Sequence, residues 1–530
     1  MGKTHIDTPI ELYVSLDEAH DSDALRTRAA RKLAVPVEDL PELHVLRRAI
    51  DARGKRARFH VLLGVGPATP AGDWALPHPR EVCPPARTVI VGSGPAGLFC
   101  AYELARHGIA SRIIDRGKRV QPRRRDIALL NREGRVDPDS NYCFGEGGAG
   151  TYSDGKLYTR SHKRGSVRDV LEILALHGAP ESILEDARPH IGSNRLPKVV
   201  TALRQRLEGV GVEFHFEARL ERIIVERRGE QRRVSGVELA DGRTFEADAV
   251  VLATGHSARD VFEMLHEMNV VLEPKAFAMG ARVEHPQALI NRIQYGRDAG
   301  HAALPSASYR LAATIGDRGV FSFCMCPGGW IVPATTEPGA QVVNGMSLSK
   351  RDSPFANSGV VVAIEPTDWQ ARGFDGPLGG VRFQQQIERA AYEAGGGDLR
   401  APATKLTDFL AGRGSSLVPP SSYRPGLTAT RLDEVIDCAG VPIAKTLRAG
   451  LDRFARRMPG FLSKEAVLVG VESRTSSPVR IPRAQDTLES PDVRGLYPSG
   501  EGAGYAGGIV SAAVDGKRIA TALQTRLAVR

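Results

Sequence analysis

TVIVGSGPAGLFCAYELARHGIASRIIDRG, residues 88–117, decides the fold class. An apolar β-type run ends in Gly92-x-Gly94-x-x-Gly97. A helical pattern follows, then a second short apolar run ending at Asp115. Strand, glycine turn, helix and strand in this order are the fingerprint of a dinucleotide-binding unit. Gly92 permits the tight turn, Gly94 lets backbone approach a pyrophosphate, and Gly97 lets the helix pack close to the strand. Pro95 and Ala96 open the helix, whose free N–H groups and dipole favour an anion. Asp115 falls where an acidic side chain takes the ribose hydroxyls, and Arg116 follows it.

Two further segments choose the dinucleotide. VVLATGHSA (250–258) is a buried-type strand running into Ala253-Thr254-Gly255. YPSGEGAGYAGGIVSAAVDGKRIATAL (497–523) is a short strand, a glycine-rich turn and a helix. A domain binding only NAD needs neither, whereas a two-domain flavoprotein needs both. The expected cofactor is therefore FAD. The late turn, Gly500 to Ile509, brings Glu501 to the ribityl chain. It aims the N–H groups near Gly507, Gly508 and Ile509 at the flavin edge where negative charge collects on reduction.

At 530 residues the chain is too long for one core. A net charge of +9 is modest for that length, and the densest basic stretch, RGKRVQPRRR (116–125), lacks aromatic partners, so nucleic-acid binding is not expected. This stretch faces either cofactor phosphates or an acidic substrate, or is a solvated surface loop. The six cysteines form no CxxC pair, which suits free thiols in a reducing cytoplasm, and no metal site is expected. The first residues lack a basic-then-apolar signal pattern, and no apolar run reaches the roughly 20 residues of a membrane span.

The expected architecture is α/β: a discontinuous Rossmann-like FAD-binding domain with an inserted α+β domain, preceded by a small α+β unit. Residues 1–85 carry strand, helix and two strands joined by a polar turn near Asp51 to Lys55, ending in a Pro- and Gly-rich linker. The FAD domain takes 86–270 and 481–530. Its meander, residues 212–255, alternates before the ATG strand, and Leu220 in that meander joins the cofactor-binding set. The inserted domain, 271–480, reads as antiparallel strands (ARVEHP, YRLAATI, RGVFSFCMCPGGWIVPATT, QVVNGMS) followed by helices, and it covers the flavin face with substrate between domains. Gly145-x-Gly147-x-x-Gly150 matches the fingerprint letters, but no apolar strand precedes it. It reads as a loop over the pyrophosphate or ring, with Gly147, Gly148, Ala149 and Gly150 as contacts. A dedicated NAD(P)H domain is therefore not expected, and NAD(P)H remains a transient reductant.

These segments also carry a resemblance. FGEGGAGTYSDGKLYTR, PHIGSNRL, LATGHSARD, FAMGARVEHPQ, GVFSFCMCPGG, PSSYRPG, VESRTSSPVRIPR and the late glycine turn resemble the uncharacterised FAD-dependent dehydrogenases of bacteria and chloroplasts. The chain is more distantly similar to geranylgeranyl reductases and other glutathione-reductase-type flavoproteins. The resemblance spans nearly the whole chain. It implies FAD, a Rossmann-like cofactor domain and an oxidoreductase, and names no substrate. Many relatives of the fold carry Gly-Asp at the late turn where this chain has Gly500-Glu501.

Flavin performs the redox step itself, so no protein nucleophile is required. The catalytic candidates are Glu284 and His285 at a strand end, as proton donors or hydrogen-bonded turn residues, and Cys324 and Cys326. In a regular strand the two cysteines share one face with Met325 opposite, as small buried core residues, and a bond between them would be strained. His256 is expected to pack beside the cofactor. Arg474, Arg480 and Arg483 hold either an anionic substrate or structural salt bridges. Lys156 contacts phosphate or flavin, or is a solvated turn residue.

Two function classes remain. The first is an FAD-dependent dehydrogenase or reductase acting on a small or medium-sized molecule, with a monooxygenase as the variant no short motif excludes. The second is a redox sensor or interaction module whose basic hairpin RRAIDARGKRAR makes the contact.

Overall fold

The computed structural model describes residues 8–66, 78–159 and 165–528, so most of the Pro- and Gly-rich linker lies outside the described residues. The N-terminal unit is a three-stranded antiparallel sheet, ordered Ile10–Val14, Arg58–Val65, Leu43–Asp51. The alternation of Ile10, Leu12 and Val14 turns one face toward the helix Ser22–Leu33. Asp21 caps that helix, its carboxylate accepting from the N–H groups of Asp23 and Ala24. The hairpin of this unit is pinned from outside. Arg48 exchanges backbone bonds with Glu185 and Ala187, and Asp298 accepts the Ala57 N–H at 2.7 Å. Its arginines are largely paired, Arg53 and Arg58 with Asp51 and Arg56 with Asp298.

Five parallel strands form the cofactor sheet, in the order Leu496–Pro498, Ala249–Leu252, Cys83–Val91, Ile109–Ile114, Glu213–His215. The strand Cys83–Val91 sits where the order reverses. Its carboxyl end is thus the crevice in which open α/β sheets take their ligands. The glycines behave as the spacing demands. Gly92 has φ +105°, and a Cβ there would lie 2.4 Å from the Ala253 carbonyl oxygen. A Cβ on Gly97 would lie 1.9 Å from the Gly92 oxygen, so only glycine lets the helix Pro95–Arg106 reach the strand. The C-terminal helix Ile509–Ala528 packs along this first helix, backbone on backbone where Gly516 meets the Ala96 oxygen. The meander forms a separate sheet of Leu220–Arg228, Gln231–Leu239 and Thr244–Glu246.

The second large sheet has seven strands, ordered Ala312–Ile315, Arg318–Cys326, Phe355–Ile364, Phe277–Pro286, Val467–Glu472, Ala401–Lys405, Leu427–Ala429. All pairs are antiparallel except the last. Along Phe277–Pro286, Phe277, Met279, Ala281 and Val283 enter the apolar core that also holds Leu447, Leu451 and Phe454 of the helix Ile443–Arg457. The intervening Gly280, Arg282 and Glu284 point to the opposite face.

The two sheets are tied by a buried ion cluster. Glu388, on the helix Gly379–Gly395, receives forked bonds from Arg259 (2.8 and 2.9 Å) and from Arg474 (2.9 and 3.1 Å), and a fifth from Ser473 Oγ at 2.7 Å. Burial alone would raise the Glu388 carboxyl, but the two guanidiniums outweigh it and hold it well below the usual glutamate range.

Two outcomes follow for stability. Gly516→Ala, by pushing two helices apart, lowers the urea midpoint by the equivalent of about 1–3 kcal/mol. Glu388→Gln leaves two buried guanidiniums short of charge and costs about 3–5 kcal/mol at neutral pH. Because the folded-state value is depressed, the wild-type contribution is complete above the ordinary value of 4.5 and is lost as pH falls below it. Urea titrations from pH 7 down to pH 3 therefore converge for wild type and Glu388→Gln, and parallel curves would count against the cluster.

Candidate functional site

Four chain segments meet at the carboxyl end of the strand Cys83–Val91. The helix Pro95–Arg106 begins there with Gly94 as its N-cap and no side chain capping it, so its first N–H groups face outward. A Cβ on Gly94 would meet only Gly148 Cα, at 3.8 Å. Asp115 is buried and does more than spacing foretold. Its carboxylate accepts from Ser93 N–H (2.8 Å), Ser93 Oγ (2.6 Å) and Gly117 N–H (2.8 Å), and so fixes the glycine turn itself. Arg116 lies over the Phe144 ring at 4.6 Å and pairs with Asp260 and Asp139, so its charge is directed at carboxylates rather than at a phosphate. Leu220 packs among Val89, Val91 and Ile114 beneath the sheet.

The second segment is the glycine loop. Gly147 donates to the Ser93 carbonyl at 3.0 Å, which lays the loop on the fingerprint turn, and Gly148–Gly150 forms a single tight helical turn. The basic stretch does not form a surface loop. From Val120 it is helix, and Arg123 turns fully inward. Arg123 donates to the carbonyls of Asn141, Tyr142, Glu146 and Gly148, a guanidinium filling the inside of the loop. A single sequence cannot distinguish this arginine from its exposed neighbours Arg124 and Arg125.

The ATG turn and the late glycine turn complete the enclosure. A Cβ on Gly502 would lie 2.5 Å from the Gly255 oxygen, and one on Gly150 would lie 3.1 Å from Ile509 Cγ1. Asp515 holds the late turn by accepting the Gly500 N–H at 2.8 Å, and is itself forked to Arg483 at 2.6 and 3.0 Å. Gly507 and Gly508 have no protein atom within 4 Å of where a Cβ would stand. The Gly507 N–H is used within the chain, donating to Ser511 Oγ at 3.1 Å. Glu501 faces His256, 3.9 Å from its Nε2. Burial pushes the Glu501 carboxyl up to about 7, against the pull of Lys275 and with help from Cys324. Burial, with Arg474 and Arg259, brings His256 down to about 4. Near neutrality this pair is a neutral imidazole beside a carboxyl that titrates.

Between the glycine loop and the hairpin of strands Gly329–Pro333 and Val343–Ser347 lies a small, partly open cavity of about 40 Å³, lined by Tyr142, Ala149, Tyr152, His256, Val332, Asn344, Glu472 and Arg474 among others. Gly255 and Gly507 are open where a Cβ would stand and Gly94 nearly so, and these positions flank the uncapped helix start. Small residues and free N–H groups at a helix start suit the close approach of a dinucleotide's diphosphate. The described residues hold no His, Cys, Asp and Glu cluster fit for a metal ion.

Glu284 and His285 do not reach this cavity. Glu284 is buried and accepts from the Ser422 N–H at 2.9 Å, and His285 bonds the Phe461 carbonyl through Nε2 at 2.8 Å and packs on its ring. Strand alternation carries them into the sheet's packing. Arg474 and Arg483 are salt-bridge residues, and Arg480 is exposed beside the Tyr505 ring. Cys324 and Cys326 are not packed as apolar residues in a regular strand. The register breaks between them, and polar groups surround them. Lys156 is not a solvated turn residue: its Nζ lies 3.6 Å from Cys324 Sγ, 3.5 Å from Cys326 Sγ and 3.5 Å from the Asp154 carboxylate. Arg282 escaped notice altogether. Fully buried, it donates to Asn357 Oδ1 (2.7 Å), Asn344 Oδ1 (3.3 Å), Glu472 (2.5 Å) and the Cys324 carbonyl (2.6 Å). A lone charge within the apolar run FAMGARVEHP was the available signal.

Comparison with known proteins gives the family. Residues 276–475 match the model of the FAD-dependent protein C-terminal-like domain, 192–320 that of an FAD-dependent oxidoreductase, 86–131 that of an FAD-binding domain, and 7–65 a domain of unknown function. Among solved structures, the flavin-dependent brominase Bmp2 aligns over 84% of this chain and 80% of its own at 14% identity and a TM-score of 0.36. Glycine oxidase from Bacillus cereus aligns over 83% and 96% at 13% identity and a TM-score of 0.32. An uncharacterised protein of Clostridium beijerinckii is 39% identical over 96% of this chain and 97% of its own length. The chain belongs to the same family as this clostridial protein, and it is an FAD-dependent oxidoreductase.

Proposed function

We propose that the adenosine diphosphate half of FAD lies over the Gly92–Gly97 turn, with its ribose toward Asp115. The flavin ring then sits between the late turn, Gly500 to Ile509, and the cavity, and a small or medium-sized organic substrate enters that cavity. When bound, the flavin supplies the redox chemistry by accepting or giving two electrons with a proton. The chain's own residues do the rest. The helix start at Pro95 and the backbone of Gly147 to Gly150 cradle the diphosphate, and Ala253-Thr254-Gly255 backs the ring. Lys156 bears on the ring's surroundings through the sulfurs described above. Glu501 and His256 form the proton-handling pair at the ring's edge.

The observation that carries this reading is the pair Gly507 and Gly508, open where a Cβ would stand, followed by Ile509, whose side chain abuts Gly150 of the glycine loop that lies on the fingerprint turn and its uncapped helix start. We place the chain among the bacterial and chloroplast FAD-dependent dehydrogenases. Its units divide near residues 85, 270 and 480, and substrate meets the flavin between the last two. NADH or NADPH binds transiently at the flavin face. In support, the five-stranded sheet is the one all-parallel sheet among the described residues.

Heat release of the bound flavin yields FAD rather than FMN, and anaerobic addition of NADH or NADPH bleaches it if nicotinamide is the donor. Gly507→Val separates cofactor binding from folding. Its side chain meets no protein atom, so the unfolding midpoint of the FAD-free chain stays within about 0.5 kcal/mol of wild type, while FAD retention through gel filtration is lost. Full FAD retention by Gly507→Val would place the ring elsewhere.

A further inference from the structure

Cys324 and Cys326 sit in polar surroundings that ordinary strand packing does not produce. The strand Arg318–Cys326 pairs Phe323 with Gly359 and next pairs Cys326 with Asn357, so one extra residue is inserted between the cysteines. Cys324 takes the backbone strain, with φ +44°, a left-handed conformation sparse for a residue with a Cβ. Bulges re-aim side chains, and this one gathers both sulfurs at one cation. Lys156 Nζ is 3.6 Å from Cys324 Sγ and 3.5 Å from Cys326 Sγ. Arg282 Nη2 is 3.8 Å from Cys326 Sγ, which also lies 3.3 Å from the Cys324 carbonyl oxygen. Cys326 is buried, and Cys324 is half-buried. The same Arg282 bonds Asn344 and Glu472 of the cavity wall, so the pair sits one guanidinium away from the cavity.

The charged groups facing the pair are Lys156 and Arg282 against Asp154, Glu472 and Glu501. The contact with the Cys326 thiol lowers Cys324 well below the usual cysteine range, overcoming burial, and Lys156 and Arg282 add to it. The contact with Cys324 and then burial raise Cys326. A lowered Cys324 and a raised Cys326 thus sit together beside an ammonium that is itself held above the usual lysine range: burial alone would lower it, but the sulfurs and Asp154 outweigh burial. Structural cysteines sit in apolar surroundings, whereas reactive ones sit in electropositive, partly exposed ones.

We propose that Cys324 and Cys326 form a redox-active dithiol that exchanges two electrons with the flavin and acts on low-molecular-weight disulfides or dithiols, with Cys324 as the attacking sulfur and Cys326 as the resolving one. This rests on the reading that places the flavin ring at the cavity. Toward a disulfide substrate, the Cys324 thiolate attacks one substrate sulfur, breaking the S–S bond and releasing a thiolate. Cys326 gives its proton to that thiolate and attacks the Cys324 sulfur, which releases the second half of the substrate as a thiolate and leaves a Cys324–Cys326 bond. Toward the flavin, the Cys324 thiolate and the Cys326 thiol form the same S–S bond and give up two electrons and one proton, which reduce the oxidised flavin. The reverse step restores the dithiol. An S–S bond closed over so short a stretch of chain is readily reduced, as a relay requires.

The test equilibrates the full chain, with and without FAD, in glutathione buffers of varied ratio, traps free thiols with N-ethylmaleimide, and weighs the peptide that holds both residues. The expected result is conversion in one step from the doubly alkylated form to an internal disulfide. Cys326→Ser instead accumulates glutathione on Cys324. Lys156→Met slows alkylation of Cys324 at neutral pH by about tenfold, the loss expected when a thiolate is no longer paired, while the alkylation rates converge at high pH. In the holoenzyme reduced anaerobically with dithionite, oxidised glutathione restores flavin absorbance for wild type but not for Cys324→Ser of equal FAD content. Independent alkylation with no internal disulfide at any ratio, or a Lys156→Met rate equal to wild type, overturns the dithiol. A pair that titrates as expected while the flavin stays silent to it overturns the relay and faults the placement of the ring, not the thiol chemistry.

Discussion

Glu388 carries the structure's largest electrostatic obligation. Its single carboxylate answers two guanidiniums, one from Arg259 just past the ATG turn and one from Arg474 just past a strand of the larger sheet, with all three side chains nearly inaccessible. Taking three charges out of water is costly, and the cluster is stable only because the geometry is doubly forked and Ser473 supplies a further donor. That geometry fixes how the two sheets face one another. Arg474 of this cluster also forms part of the cavity wall, as does His256.

A second buried charge organises the larger sheet from its other face. Arg282 projects opposite to Met279, Ala281 and Val283 of the helix-covered core, where a strand buried on both faces would ordinarily carry another aliphatic residue. Its bonds collect Asn357, Asn344, Glu472 and the bulged backbone at Cys324 into one network. Burial pushes Glu472 up against the pull of Arg282, so this polar patch responds to any change of charge on the neighbouring sulfurs. The regions around the two sheets thus meet through charged groups as well as through apolar packing, the latter where Val89, Val91 and Leu252 share a cluster with Leu378 and Val381.

The parts of the fold legible in the sequence are those set by near neighbours in the chain. The fingerprint turn, the ATG strand, the meander and the late glycine turn each consist of glycines at required φ values or alternating runs, and each lies where the spacing put it. The helix beginning at Val120 was hidden because no capping side chain announces it and its first turn is dense with arginines. The bulge at Cys324 was hidden because it is imposed by pairing with a strand some thirty residues later, and an alternation rule applied locally cannot register an inserted residue. Glu388 carried no signal beyond an acidic residue on an amphipathic helix, the commonest of surface patterns. For the site, the glycines were legible and the charges were not, because a buried ion pair is a property of two distant positions and each half looks like ordinary surface.

The contact between Gly516 and Ala96 has a consequence for how the molecule comes into being. The strand Leu496–Pro498 and the helix after it belong to the first sheet, yet the whole of the seven-stranded sheet is threaded between them and their partner strand Ala249–Leu252. The early strands and the first helix therefore wait, with one edge and one apolar flank uncovered, until the chain's last helix arrives. Pairing across so long a separation is slow, and an open strand edge in the meantime invites wrong partners. The late glycine turn, over which we propose the flavin ring lies, rides on that last helix. On that placement, cofactor capture and closure of the sheet become a single late event in the life of the chain.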